Sequence, residues 1–186
     1  MSSIPVPAPD APAEPSSSNL VPVLVAFAIG TAVSIGLGVY GRLHTPTGYA
    51  VNIAGFSTGA AAKAALASVA MALAIVQAVT AMGIYGRIPL RGAWVGAVHR
   101  WSGRLAILIS VPVAVHCLYA LGFQAYDGRV IAHSLFGCFL YGAFVFKMLI
   151  LTRDDSPSWA LPLAGGLVLS GLTALWMTAV LYFLIV

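Results

Sequence analysis

Long apolar runs separated by short polar hinges set the pattern of this chain. Five runs follow one another, near Leu20–Leu43, Ala60–Tyr85, Val95–Leu121, Val130–Leu151 and Trp159–Val186. Each reaches the roughly 20 apolar residues a helix needs to cross about 30 Å of hydrocarbon. At that depth no water satisfies a backbone N–H or C=O, so each run has to be a helix bonded to itself. The breaks fall on turn-forming residues: Thr45-Pro46-Thr47-Gly48, Ile88-Pro89, Asp127-Gly128 and Ser156-Pro157. The predicted fold is all-α, a five-transmembrane-helix bundle over residues 20–186 with no soluble domain left over.

Composition agrees with this pattern. The chain is 60% hydrophobic and 8% charged, where a soluble domain carries about 25% charged residues. Residues 1–19 are rich in Pro, Ala and Ser, lack apolar periodicity and predict a short disordered tail. No basic segment precedes the first run, so it does not have the form of a secretory signal. The net charge of +4 is spread over helix ends and is not a nucleic-acid signature. Arg87, Arg91, Arg100, Arg104, Lys147 and Arg153 fall on one side, and Arg42, Lys63 and Arg129 on the other. The excess predicts a cytoplasmic N-terminus and a C-terminus outside.

Some chemistry is excluded early. The acids Asp10, Glu14, Asp127, Asp154 and Asp155 all lie outside the runs, whereas cation-coupled transporters keep a carboxylate within the membrane. No phosphate-binding Gly-rich loop or nucleophile elbow is present. Cys117 and Cys138 sit in apolar runs without a C-x-x-C-H, which argues against covalent haem. Small residues recur in the helices, at Gly36, Gly38, Gly165, Gly166 and Gly171, and predict close helix contact.

The histidines carry what chemistry there is. His116 and His133 flank the loop Gly122–Gly128. If the third and fourth helices form an antiparallel hairpin, the two rings stand at one depth. Two neutral imidazoles so placed suit the axial positions of a haem iron. Gly137, four residues after His133, leaves room, and Pro112, four before His116, predicts a bend. Phe136, Tyr141 and Phe144 are candidate pocket walls, or lipid-facing packing. A bland alternative has each histidine satisfied by a neighbouring helix. Zinc held by His116, His133 and His44 is a further alternative. His44, just after the first helix, is a substitute ligand or a boundary residue in solvent. His99 opens the third helix, 17 residues before His116, hence about 25 Å away on the opposite side. The matching depth on the fourth helix, near Lys147 to Ile150, has no histidine, so one two-histidine haem is the most the chain can form. Arg100 and Arg104, one turn apart, suit a quinone head, another anionic group or lipid phosphate.

The stretches His99-Arg100-Trp101-Ser102-Gly103-Arg104, His116-Cys117-Leu118-Tyr119-Ala120-Leu121-Gly122-Phe123 and His133-Ser134-Leu135-Phe136-Gly137-Cys138 resemble cytochrome b561-like and ferric-reductase-like transmembrane haem domains. With His44-Thr45-Pro46-Thr47-Gly48 added, the chain looks still more like a bacterial family of five-helix membrane proteins of uncharacterised function. The first resemblance implies haem b, axial ligands His116 and His133, and electron transfer with a quinone or a redox partner protein. The second implies a bacterial inner membrane. Those haem families carry two histidine pairs, which this chain cannot form at matched depths. A cofactor-free structural or assembly subunit of a membrane complex is the alternative expectation.

Overall fold

The computed structural model describes residues 20–49 and 55–185. The tail expected over residues 1–19 lies outside them. Five helices are long and apolar enough to cross a membrane. They are α1 (Val21–Leu43), α2 (Gly59–Ile84), α3 (Ala93–Val115), α4 (Gly128–Leu151) and α5 (Ala160–Trp176). Two of them continue into wider π turns, α3 through His116–Leu121 and α5 through Met177–Leu181, before a last turn at Tyr182–Ile185.

Local chemistry sets the helix starts. Thr58 accepts from the Ala61 N–H at 3.1 Å and Asp127 from the Val130 N–H at 2.8 Å, so α2 and α4 begin at side-chain caps. Proline at the start of α1 loses no helical hydrogen bond.

The spatial order is α1–α4–α5–α2–α3, since α1 packs on α4, α4 on α5, α5 on α2 and α2 on α3. This corrects the expected hairpin. The consecutive helices α3 and α4 are not principal packing partners; a hydrogen bond of 2.9 Å between the Ser110 and Tyr141 hydroxyls spans them. Where helices do meet, small residues set the distance. An added Cβ at Gly30 of α1 would lie 2.6 Å from the Gly142 carbonyl oxygen of α4. One core, of Val23, Ala26, Phe146, Ile150, Ala160 and Ala164, fills the end where Leu20 lies, and Ala74, Leu140 and Leu172 fill the middle. Large apolar side chains such as Leu24, Ile35 and Leu108 project outward, as lipid allows.

At the opposite end, where His44 lies, α1 and the first π turn are tied by backbone. The Phe123 N–H donates to the Gly41 carbonyl at 2.7 Å and the Gly48 N–H to the Ala120 carbonyl at 3.0 Å. Gly122 adopts φ +71° there, and a Cβ would lie 2.9 Å from the Gly41 oxygen, so glycine is needed twice over.

Candidate functional site: two threonine-clamped histidines

His133 lies one turn into α4, beyond the Asp127 cap. Its Nδ1 is 3.1 Å from Thr178 Oγ1, inside the second π turn. Thr178 Oγ1 also lies 2.7 Å from the Ala174 carbonyl and 3.2 Å from that of Leu175. A hydroxyl has one proton. Its shortest contact is with the Ala174 carbonyl, and with the proton placed there Thr178 accepts from His133. The ring is thereby assigned as the Nδ1–H tautomer, with a lone pair on Nε2. Metal-binding histidines are oriented in this way by an outer partner. Arg129, on the same face of α4, donates to the Thr178 carbonyl at 2.8 Å and stacks 3.9 Å from the Tyr182 ring centre. The π turn is thus held from two sides by α4.

His116 opens the first π turn. It is partly buried, and its ring hydrogen-bonds to none of the described residues. Lys63 on α2 is near enough for its charge to act at His116, His133 and Cys117 alike. The helices α2, α3, α4 and α5 therefore converge their polar groups at this end. Space remains beside them: a Cβ on Gly137 would meet only Leu175 Cδ2, at 3.9 Å. π turns are frequent at functional positions in helices, and here both flank the same site.

Other expected residues sit elsewhere. Phe136 packs edge-on against Phe139, and both line a groove of about 440 Å³ facing α1, with Ser34, Ile35, Gly38 and Cys138. The groove includes neither His116 nor His133. Tyr141 turns to Ser110. His44 lies between Tyr40 and Tyr119, with ring centres 5.1 and 5.0 Å away, and its Nε2 donates to the Tyr119 carbonyl at 3.1 Å. It clamps α1 to the first π turn. Among the described residues no three His, Cys, Asp or Glu side chains gather as a metal site, so a tetrahedral zinc lacks its ligand set.

At the Leu20 end, His99 repeats the motif. Its Nδ1 is 2.9 Å from Thr80 Oγ1, which lies 2.7 Å from the Val76 carbonyl and 3.1 Å from that of Gln77. The same proton count makes Nδ1 the donor and leaves the Nε2 lone pair free. Gln77 bonds to the His99 carbonyl and, at 3.0 Å, to Ser102 Oγ. Gly103 makes way for it, since a Cβ there would lie 3.0 Å from the Gln77 side chain. Lys147 of α4 is close enough to act on His99 through its charge. Arg100 and Arg104 are exposed, and Arg104 lies 5.3 Å from the Trp101 ring centre.

Sequence reasoning singled out the histidines but missed Thr80, Thr178 and the shared Lys63. Threonine is common in membrane helices and carries no mark of such a role.

A family model described as a family of unknown function, DUF6529, matches residues 23–186. No curated protein matches, and no solved structure does.

Proposed function

The chain belongs to the DUF6529 family, and we propose that it is a membrane b-type cytochrome in which His116 and His133 hold one haem near the His44 end. The observation that carries this reading is the 3.1 Å contact of His133 Nδ1 with Thr178 Oγ1, which, with the threonine proton on the Ala174 carbonyl, leaves Nε2 as the ligating atom. The donor set supports it: one imidazole on the π turn that ends α3 and one on α4, helices that are not principal packing partners, with a glycine facing open space beside His133. When bound, haem would supply one-electron chemistry at its iron.

The chain's own residues do the rest. Thr178 fixes the tautomer and angle of His133. Lys63 offers a cation to an acidic group of the cofactor. Apolar helix faces keep water from the site, which with hydrogen bonding tunes a redox centre. One such centre near one end needs an exchange partner, a quinone or a second protein. The spread of Lys and Arg supports an orientation with the His44 end outside.

A dithionite-reduced minus oxidised spectrum of the purified full chain tests the reading. Sharp low-spin b-type bands at about one haem per chain are expected, lost in both His116→Ala and His133→Ala while each variant stays in the membrane. A colourless protein from a haem-replete host, or bands kept in both variants, refutes it.

A cofactor-free assembly subunit is the second reading. It is favoured by Gly36, Gly165 and Gly166, where an added Cβ would have nothing within 4 Å, so small faces remain for other helices.

A further inference from the structure

The cluster at the Leu20 end takes no part in the proposed haem site, yet it holds an acceptor on His99 and a donor on Lys147, near enough for the lysine charge to act on the ring. His99 Nε2 keeps its lone pair because Thr80 holds Nδ1–H. Lys147 is partly buried and makes no hydrogen bond or ion pair with any described residue. No acid lies in the five spans to neutralise it. An unpaired ammonium inside a membrane is costly and calls for a polar partner.

Depth narrows the partner. His99 is six residues into α3 and Lys147 four residues from the end of α4. Both therefore stand about 6–9 Å inside the helix ends, at 1.5 Å per residue. A ligand here has its polar part just below the interface and the rest in hydrocarbon. The helices α3 and α4 are not principal packing partners at any level, and the Ser110–Tyr141 hydrogen bond that spans them lies 11 residues further along α3 than His99.

The hydrogen-bonding pattern narrows it further. A phosphate offers acceptors only, which suits Lys147 but sets negative oxygen against the His99 lone pair. A quinol hydroxyl donates to Nε2 and a quinol oxygen accepts from an ammonium, whereas an oxidised quinone, like the phosphate, has no proton to offer Nε2. We propose that His99 and Lys147 form a headgroup site for a membrane quinol. Thr80, Gln77 and Ser102 are positioning residues that hold the histidine ring and its backbone. The site rests on the cytochrome reading only in that quinone is named there as an exchange partner; binding requires no haem.

The test uses the full chain in phosphatidylcholine nanodiscs, titrated without oxygen with short-chain benzoquinol and naphthoquinol and followed by tryptophan fluorescence, with Trp94 and Trp101 on the same helix as His99. Saturable quenching is expected. His99→Leu and Lys147→Met each weaken it at least tenfold, and Lys147→Arg keeps it within about threefold. Thr80→Val, which leaves the ring but frees its tautomer, also weakens it and serves if His99→Leu does not fold.

Absence of saturation, or wild-type binding in both His99→Leu and Lys147→Met, overturns the proposal. So does a site for anionic lipid: retention of phosphatidylglycerol lost in Lys147→Met and untouched in His99→Leu, with no quinol binding. The haem spectrum separates the two readings. A colourless protein that binds quinol leaves this site standing without the cytochrome, and a coloured protein that binds none does the reverse.

Discussion

Replacing Thr178 by valine keeps the shape of the side chain and removes one oxygen. In the native protein that oxygen receives the His133 Nδ1–H at 3.1 Å and donates to the Ala174 carbonyl at 2.7 Å. The carbonyl loses little, being part of a helix. The imidazole loses its only hydrogen-bond acceptor among the described residues. An orphaned N–H costs about 1–3 kcal/mol in a soluble protein, while hydrogen bonds between membrane helices average about 0.6 and reach about 1.7 kcal/mol. The ring escapes this cost by moving its proton to Nε2. That tautomer cannot ligate through Nε2 until the proton moves back, so the loss reappears in affinity. At about 1.4 kcal/mol per factor of ten, the upper part of this range gives a weakening near tenfold. Loss of an outer partner of a metal-binding histidine costs about 10–100-fold. Two assays follow. Nitrogen NMR of imidazole-labelled protein should find His133 as Nδ1–H in the native chain and shifted toward Nε2–H in Thr178→Val. Haem titration of the apoprotein should find affinity at least tenfold lower in Thr178→Val and restored in Thr178→Ser. An unchanged tautomer and unchanged affinity in the valine variant would refute the proton count on which the site is built.

Other expectations can be checked together. Gly30→Ala places a Cβ against the Gly142 carbonyl at 2.6 Å and Phe146 Cβ at 3.0 Å, and overpacking of this kind costs about 1–3 kcal/mol; its detergent melting temperature should fall by several degrees while Gly36→Ala, in open space, stays at the native value. Removing the ring in His44→Ala breaks the stack with Tyr40 and Tyr119 and the bond to the Tyr119 carbonyl. Amide exchange over residues 116–123 should then quicken, with any haem bands retained; unchanged exchange would remove the clamp role.

The helices were legible because hydrocarbon imposes a simple rule: an unbroken apolar run of sufficient length has one stable backbone. Their neighbours were not. Treating α3 and α4 as a hairpin is the natural default for a short connection, but packing follows side-chain size, and α4 finds its close partner in α1 through Gly30 and Gly142. The histidines stood out because a polar ring in lipid is conspicuous. Their clamps did not, because Thr80 and Thr178 acquire meaning only when helices far apart in sequence meet. The same holds for Lys147. Its depth opposite His99 could be counted along the helix, but its closeness to that ring depends on where α4 lies across the bundle. The π turns have no sequence mark beyond Pro112 four residues ahead of the first.

One consequence follows from the sign of the charges within the spans. Arg42, Lys63, Arg100, Arg104, Arg129 and Lys147 lie in the five helices, and no Asp or Glu does. A cation that entered this bundle would meet only like charge in the helices, with no carboxylate on which to pause. The same field favours an electron placed anywhere between the two ends. The charges within the helices are thus all of one sign, a distribution that disfavours a cation and favours added negative charge between the two ends.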